Sequence, residues 1–144
     1  MRILVQRVLN AKLEIGGEKI CQIEKGIVAY VGFKEGDFEG HLPSAANKLL
    51  GLRIFQDQNG KINNPNSGSF LIIPNFTLYA QTSHGFRPSF SQALSPERAK
   101  PLFEKFVEIL KANCPKRVFS GVFGANMQIT QTNDGPISVL IELN

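Results

Sequence analysis

Two short stretches carry the unusual chemistry of this 144-residue chain. The first is Pro74-Asn75-Phe76-Thr77-Leu78-Tyr79-Ala80. It follows the most apolar run of the sequence, and its proline cannot donate to a β-ladder, so the strand must end, bulge or lie at an edge there. If the strand continues, Asn75 and Thr77 point to one face and Phe76 and Leu78 to the other. The second is Thr132-Asn133-Asp134-Gly135-Pro136-Ile137-Ser138. Gly-Pro between two strands is ordinarily a turn, but X-Pro is also the one bond type with an appreciable cis population. A cis Gly-Pro would present its carbonyl as a rigid probe without a side chain.

The common catalytic machinery is missing. The chain has no GxSxG, HExxH, P-loop or GxGxxG. Asp57, Asp134 and Glu142 stand isolated, and the two histidines, His41 and His84, sit beside glycines in polar surroundings that suggest solvated side chains. Two histidines leave no His-rich metal site, and Cys21 and Cys114 form neither a CxxC nor a disulfide framework. Neither a metal nor a cofactor is expected. An enzyme built from these residues must work through backbone N–H groups, hydroxyls or the substrate's own groups.

The elements that position these stretches follow from hydrophobic periodicity. Residues 2–15, 19–23 and 27–32 read as a β-meander turning at Gly16-Gly17 and at Glu24-Lys25-Gly26. Leu42, Ala45, Ala46, Leu49 and Leu50 repeat at helical spacing up to Gly51. Arg53-Ile54-Phe55 reads as a short strand and residues 57–68 as turn and loop. The apolar run from Phe70 to Tyr79 reads as a strand that bulges, ends or lies at an edge at Pro74. Ser95-Pro96-Glu97 signals a helix start, with Ser95 as N-cap, and the apolar positions continue to about Asn113. Residues 118–123, 127–132 and 137–143 read as three closing strands. The length suits one domain over residues 1–144. With no signal peptide and no long apolar run at the first residues, the expected location is the cytoplasm, without membrane attachment.

The formal charge is only +4, but its distribution is informative. No carboxylate occurs from residue 58 to residue 96, whereas Lys61, His84 and Arg87 lie inside that span. Such a stretch tolerates a phosphate nearby.

Taken together, the motifs resemble the D-aminoacyl-tRNA deacylase family over essentially the whole chain. The residues that carry the resemblance are Val5-Gln6-Arg7-Val8, Leu52-Arg53-Ile54-Phe55 with Asp57, Gly60-Lys61 and Asn63, Phe76-Thr77-Leu78-Tyr79-Ala80, Gly85, Arg87-Pro88-Ser89-Phe90, Gly121, Phe123-Gly124-Ala125, Met127, and Asn133-Asp134-Gly135-Pro136. The resemblance implies an α+β fold: mostly antiparallel sheets forming a barrel-like β core with two main helices, homodimeric. It implies hydrolysis of the ester between a D-amino acid, or glycine, and the 3′-terminal adenosine of tRNA.

The family's Ser-Gln-x-Thr-Leu motif falls on Pro74-Asn75-Phe76-Thr77-Leu78, and its Gly-Pro-Val-Thr motif on Gly135-Pro136-Ile137-Ser138. By this carry-over Asn75, Phe76 and Thr77 form the reaction centre, acting mainly through main-chain groups, with the ribose 2′-hydroxyl assisting attack. Gly135 and Pro136, joined by a cis bond in the family, reach into the partner subunit and exclude an L side chain. Phe123, Met127 and Ala99 match positions lining the adenosine pocket, and Arg7 a position bracing the Gly-Pro loop. Two departures stand out. Asn75 is one methylene shorter than the family's Gln, and Pro74 resembles a related group whose motif opens Pro-Gln, whose Gly-Pro is trans and which tolerates some L-amino acids. Ser138 keeps the hydroxyl of the family's Thr and loses its methyl. The alternatives are that trans type and a paralogue that binds the tRNA end without turnover.

Overall fold

The computed structural model describes residues 1–143. Its elements in chain order are β1 (Arg2–Ile15), β2 (Glu18–Ile23), β3 (Gly26–Gly32), α1 (Leu42–Leu50), β4 (Phe55–Gln56), β5 (Ile62–Asn64), β6 (Ser69–Pro74), α2 (Pro96–Asn113), β7 (Val118–Ser120) and β8 (Gln128–Glu142). Single 3-10 turns occupy Glu39–His41 and Phe76–Tyr79. The main sheet runs β2-β1-β3-β6-β7, with β8 along the other edge of β1. β6 lies parallel to β3 and to β7, and the remaining pairings are antiparallel. The fold is therefore α+β with a nearly closed, barrel-like sheet.

The curl of the sheet originates in β1. Ile3 and Val5 face the core beneath the helices, with Ile27, Ala29, Phe70 and Ile72 beside them. Val8, Ala11 and Leu13 instead join Ile23, Val28, Leu71 and Ile73 in a second buried cluster. Val8 and Ala11 are three apart and still share a face, which a strict two-residue alternation forbids. A register irregularity against β8 between Val8 and Asn10 supplies the slip, leaving Leu9 and Asn10 both exposed. A bulge of this kind bends and twists a strand, so the second half of β1, with β2, folds over the face that carries Val28, Leu71 and Ile73.

β3 and β6 are buried on both faces, as their continuous apolar runs require. α1 covers the first core with Leu42, Ala45, Ala46 and Leu49, and α2 with Leu102, Phe103, Phe106 and Leu110 among others. Gly16 and Gly17 both take positive φ, at 59° and 85°, in the two-residue turn between β1 and β2.

Several sequence expectations need correction. Of the outcomes left open at Pro74, β6 takes the end: it stops at Pro74, so Asn75 and Thr77 do not continue the strand. The Pro74 ring ends the ladder, the Asn75 N–H makes a last bond to the Val31 carbonyl (2.8 Å), and the chain closes into the 3-10 turn. The strand expected over Arg53–Phe55 is the two-residue β4, paired with β5 in a segment read as loop. β7 ends at Ser120, three residues early, where the Gly121 N–H turns to the Ile72 carbonyl.

The two strands expected on either side of Gly135-Pro136 are one strand, β8. Asn133 pairs with Val8 and Ser138 with Gln6, so residues 134–137 all stand against Arg7 and bulge from the ladder. The Gly135-Pro136 bond within that bulge is cis. Ser95 does occupy the N-cap of α2, but its hydroxyl bonds no backbone N–H of the first turn. It turns to the Glu97 carboxyl, which is held below its ordinary range by its own N–H and by that hydroxyl.

Candidate active site

An apolar cleft of about 350 Å³ opens where the end of β3, the 3-10 turn after β6, and the start of α2 meet. Val31, Gly32 and Phe33 form its floor, Asn75 and Phe76 one wall, and Leu94 to Pro96 with Ala99 the other. Phe123 and Gly124 close its far side, where the Phe123 ring packs against Phe103 at 6.2 Å between centroids. Phe90 lies across the mouth, its ring edge-on to Phe76 at 5.1 Å.

The 3-10 turn is built so that its donors are nearly all spent. Asn75 is its N-cap: its Oδ1 accepts from the Thr77 N–H at 3.1 Å and from the Thr77 hydroxyl at 2.5 Å. Leu78 N–H bonds the Asn75 carbonyl. With Asn75 N–H on Val31, the Phe76 N–H is the one backbone donor of residues 75–78 without an acceptor among the described residues. The far end of the turn is anchored by Arg2, which donates to the Leu78 carbonyl at 2.9 Å, pairs with Glu142 at 2.8 Å and lies 4.7 Å from the centre of the Tyr79 ring. Burial, and then the nearby Asp37 charge, push the Tyr79 hydroxyl up to about 12. Tyr79 is thus a protonated strut and no base at neutral pH.

Asn75, Phe76, Ala99 and Phe123 therefore meet in one cleft. Thr77 stands beside it with its hydroxyl turned back to Asn75. Met127 lies outside the lining: it packs with Ile129 on the second buried cluster, its sulfur tucked under Gly121, where a Cβ would approach it to 2.7 Å. From there it supports the loop that carries Phe123.

Gly135, Pro136 and Arg7 lie elsewhere. Arg2 pairs with Gly32 at the cleft, and Arg7 stands against the Gly-Pro bulge. At roughly 3.3 Å per strand residue, about 17 Å separate the two places along β1. Gly135 and Pro136 are exposed. Their bulge is held from behind by buried Arg7, whose Nε reaches the Asp134 carbonyl at 3.3 Å and its carboxylate at 3.1 Å, while Nη1 donates to the Ile54 carbonyl at 2.7 Å. Gly135 has φ of 123°, and a Cβ there would sit 2.9 Å from the Ile137 nitrogen.

Sequence reasoning missed the wall made by Phe33, Leu94, Ser95 and Pro96, and missed Ile54 and Asp134 as the anchors of Arg7. Phe90 lay within a motif already singled out, but only the fold brings its ring onto Phe76. His84 is exposed, while His41 is half-buried against Phe38, 3.6 Å from Asp37; neither lines the cleft. Burial pushes the Cys21 thiol up. Among the described residues no cluster of His, Cys, Asp or Glu could hold a metal, and no helix is long and apolar enough to cross a membrane.

Residues 4–142 match a family model described as D-Tyr-tRNA(Tyr) deacylase. A D-aminoacyl-tRNA deacylase of Carboxydothermus hydrogenoformans is 42% identical, with 99% of this chain and 100% of the relative covered. One of Chlorobaculum parvum is 41% identical over 99% of this chain and 97% of the relative. Among solved structures, a c-Myc DNA unwinding element binding protein superposes with a TM-score of 0.92 at 33% identity, over 100% of this chain and 99% of that one. A probable eukaryotic D-amino acid tRNA deacylase gives 0.82 at 19% identity over 99% and 98%, a likeness of fold.

Proposed function

The chain belongs to the D-Tyr-tRNA(Tyr) deacylase family, and from that premise we propose that it hydrolyses the ester linking a D-amino acid, or glycine, to the 3′-terminal adenosine of tRNA. The observation that carries this reading is an apolar cleft with no side-chain base among its lining residues, beside a 3-10 turn that leaves its Phe76 N–H unspent.

The adenosine lies in the cleft between Ala99 and Phe123, and base–aromatic stacking of this kind contributes about 1–3 kcal/mol without charge recognition. The aminoacyl ester then faces the 3-10 turn. Water, assisted by the ribose 2′-hydroxyl, attacks the ester carbonyl carbon. The carbonyl oxygen gains charge in the tetrahedral intermediate and is met by the Phe76 N–H. A preformed donor of this type contributes on the order of 3 kcal/mol to the barrier. The intermediate collapses with cleavage of the bond to the ribose 3′-oxygen, which leaves as a hydroxyl once it takes the proton lost by the water.

Chiral selection comes from a second copy of the chain. Within one protomer the Gly-Pro bulge is about 17 Å along β1 from the cleft, so it cannot wall that cleft, but a partner's exposed Gly135 and Pro136 can. A backbone wall rejects an L side chain by collision and leaves a D side chain to point away, which makes selection independent of side-chain identity. The protein acts in this reading as a cytoplasmic, tRNA-binding homodimer. Incubating the purified chain with D-tyrosyl- and L-tyrosyl-tRNA side by side tests it. Rapid release of D-tyrosine with the L-ester left intact is expected. No release of D-tyrosine above the spontaneous rate would refute it.

A further inference from the structure

The segment 81–92 is exposed almost throughout, yet its base is fixed to the cleft. Gln81 and Ser89 exchange both backbone hydrogen bonds (2.7 and 3.0 Å), closing the residues between them into a protruding loop. Directly after the closure Phe90 packs on Phe76, and the Leu94 N–H bonds the Phe33 carbonyl at 2.9 Å. The tip carries Phe86, fully exposed at 107% of its reference area, followed by exposed Arg87. Arg87 makes no ion pair among the described residues. At no more than ~3.6 Å per residue, Phe86 lies within about 14 Å of Phe90 at the cleft mouth. No carboxylate occurs anywhere from residue 58 to residue 96.

We propose that this loop is a second contact for the single-stranded 3′ end of the RNA: Phe86 stacks on an unpaired base upstream of the terminal adenosine, and Arg87 pairs with a backbone phosphate between them. The proposal rests on the substrate class argued above. The cleft has room for little more than one nucleoside and its ester, so the strand must leave past Phe90, over the loop. An exposed aromatic next to a cation, in a loop with no carboxylate of its own, fits a nucleic acid strand. Aromatic rings stack on any base, and the cation meets the phosphate between stacked bases. The base contact is sequence-tolerant, which suits an enzyme whose substrates share an unpaired 3′ end.

Two measurements on the intact protein separate the outcomes. The first is affinity for a short RNA ending in 3′-CCA. Phe86→Ala is expected to weaken it about tenfold, a modest share of one stacked base. Arg87→Gln is expected to flatten the dependence of log affinity on log salt by about 0.7, the loss of one phosphate contact on a single strand. The second is hydrolysis: Phe86→Ala should raise KM for D-tyrosyl-tRNA about tenfold at unchanged kcat and leave hydrolysis of 3′-D-tyrosyl-adenosine, which ends inside the cleft, unaltered. Wild-type RNA affinity in Phe86→Ala overturns the inference. So does an equal loss on the adenosine ester, or a variant altered only in self-association. If the wild-type chain hydrolyses neither ester, the proposed function fails, while the RNA affinity still decides the role of Phe86.

Discussion

Asn75 Oδ1 receives both the backbone N–H and the hydroxyl of Thr77. The pairing assigns different work to two adjacent candidates: Asn75 shapes the turn, and Thr77 has its proton engaged inside it. A hydroxyl used as base or nucleophile would contribute 100-fold or more. Thr77→Ala should therefore cost less than about tenfold in kcat on a D-aminoacyl-tRNA. Asn75→Ala removes the cap and should lower stability by about 1 kcal/mol in urea denaturation, with a larger fall in kcat than Thr77→Ala because the Phe76 N–H is no longer aimed.

Gly135 occupies a backbone region closed to side chains, at φ of 123° and against the Ile137 nitrogen. Gly135→Ala should lose about 1–3 kcal/mol in thermal or urea unfolding. It should also reduce D-ester hydrolysis by more than the stability loss explains at a temperature where the variant is folded. Comparing kcat/KM well below the melting transition checks this.

Arg7 joins the Gly-Pro bulge to the segment before β4, through Asp134 and the Ile54 carbonyl. Arg7→Lys keeps the charge and loses the fork that spans both acceptors, so it should fail to restore what Arg7→Ala loses. Arg7→Ala leaves a buried carbonyl unpaired and should cost about 2–4 kcal/mol. A double-mutant cycle with Asp134→Asn should return a coupling of about 0.5–3 kcal/mol, as expected for residues in direct contact.

Tyr79 is almost fully buried, with its hydroxyl pushed up to about 12. The folded state thus binds this proton more tightly than the unfolded chain, whose tyrosines titrate near 10. The contribution is fully present below about pH 10 and is lost as pH rises towards 12, with an upper size on the order of 3 kcal/mol. Alkaline unfolding of Tyr79→Phe should be correspondingly shallower in that window, while its activity near neutrality is retained.

The sequence made most of the scaffold legible because its signals are local. Leu42 to Leu50 and the helix after Ser95 repeat at helical spacing, Gly16-Gly17 marks a hairpin, and the apolar runs in β3 and β6 require burial on both faces. What escaped depends on pairing between distant segments. Whether residues 128–142 form two strands or one depends on β1, which continues alongside both halves and takes up the Gly-Pro bulge opposite Arg7. Which of bulge, edge or end the strand takes at Pro74 was not legible, because the outcome depends on the Asn75 side chain capping the following turn. In the candidate site, the motif residues were legible by type, but not the distance between them. Nothing in the spacing of Phe76 and Gly135 says that β1 holds them about 17 Å apart within one chain.

That separation makes subunit mixing the most direct test. Phe76→Arg fills the cleft from an exposed position, and Gly135→Ala alters the bulge on a different part of the same chain. Each homodimer should be strongly impaired. In a two-fold dimer a mixed pair contains one site with an intact cleft and the partner's intact Gly-Pro. Equimolar co-refolding or co-expression of the two variants should therefore restore D-tyrosyl-tRNA hydrolysis to about one quarter of the wild-type rate, the statistical share of such sites. Activity no greater than the mean of the two homodimers would contradict the account.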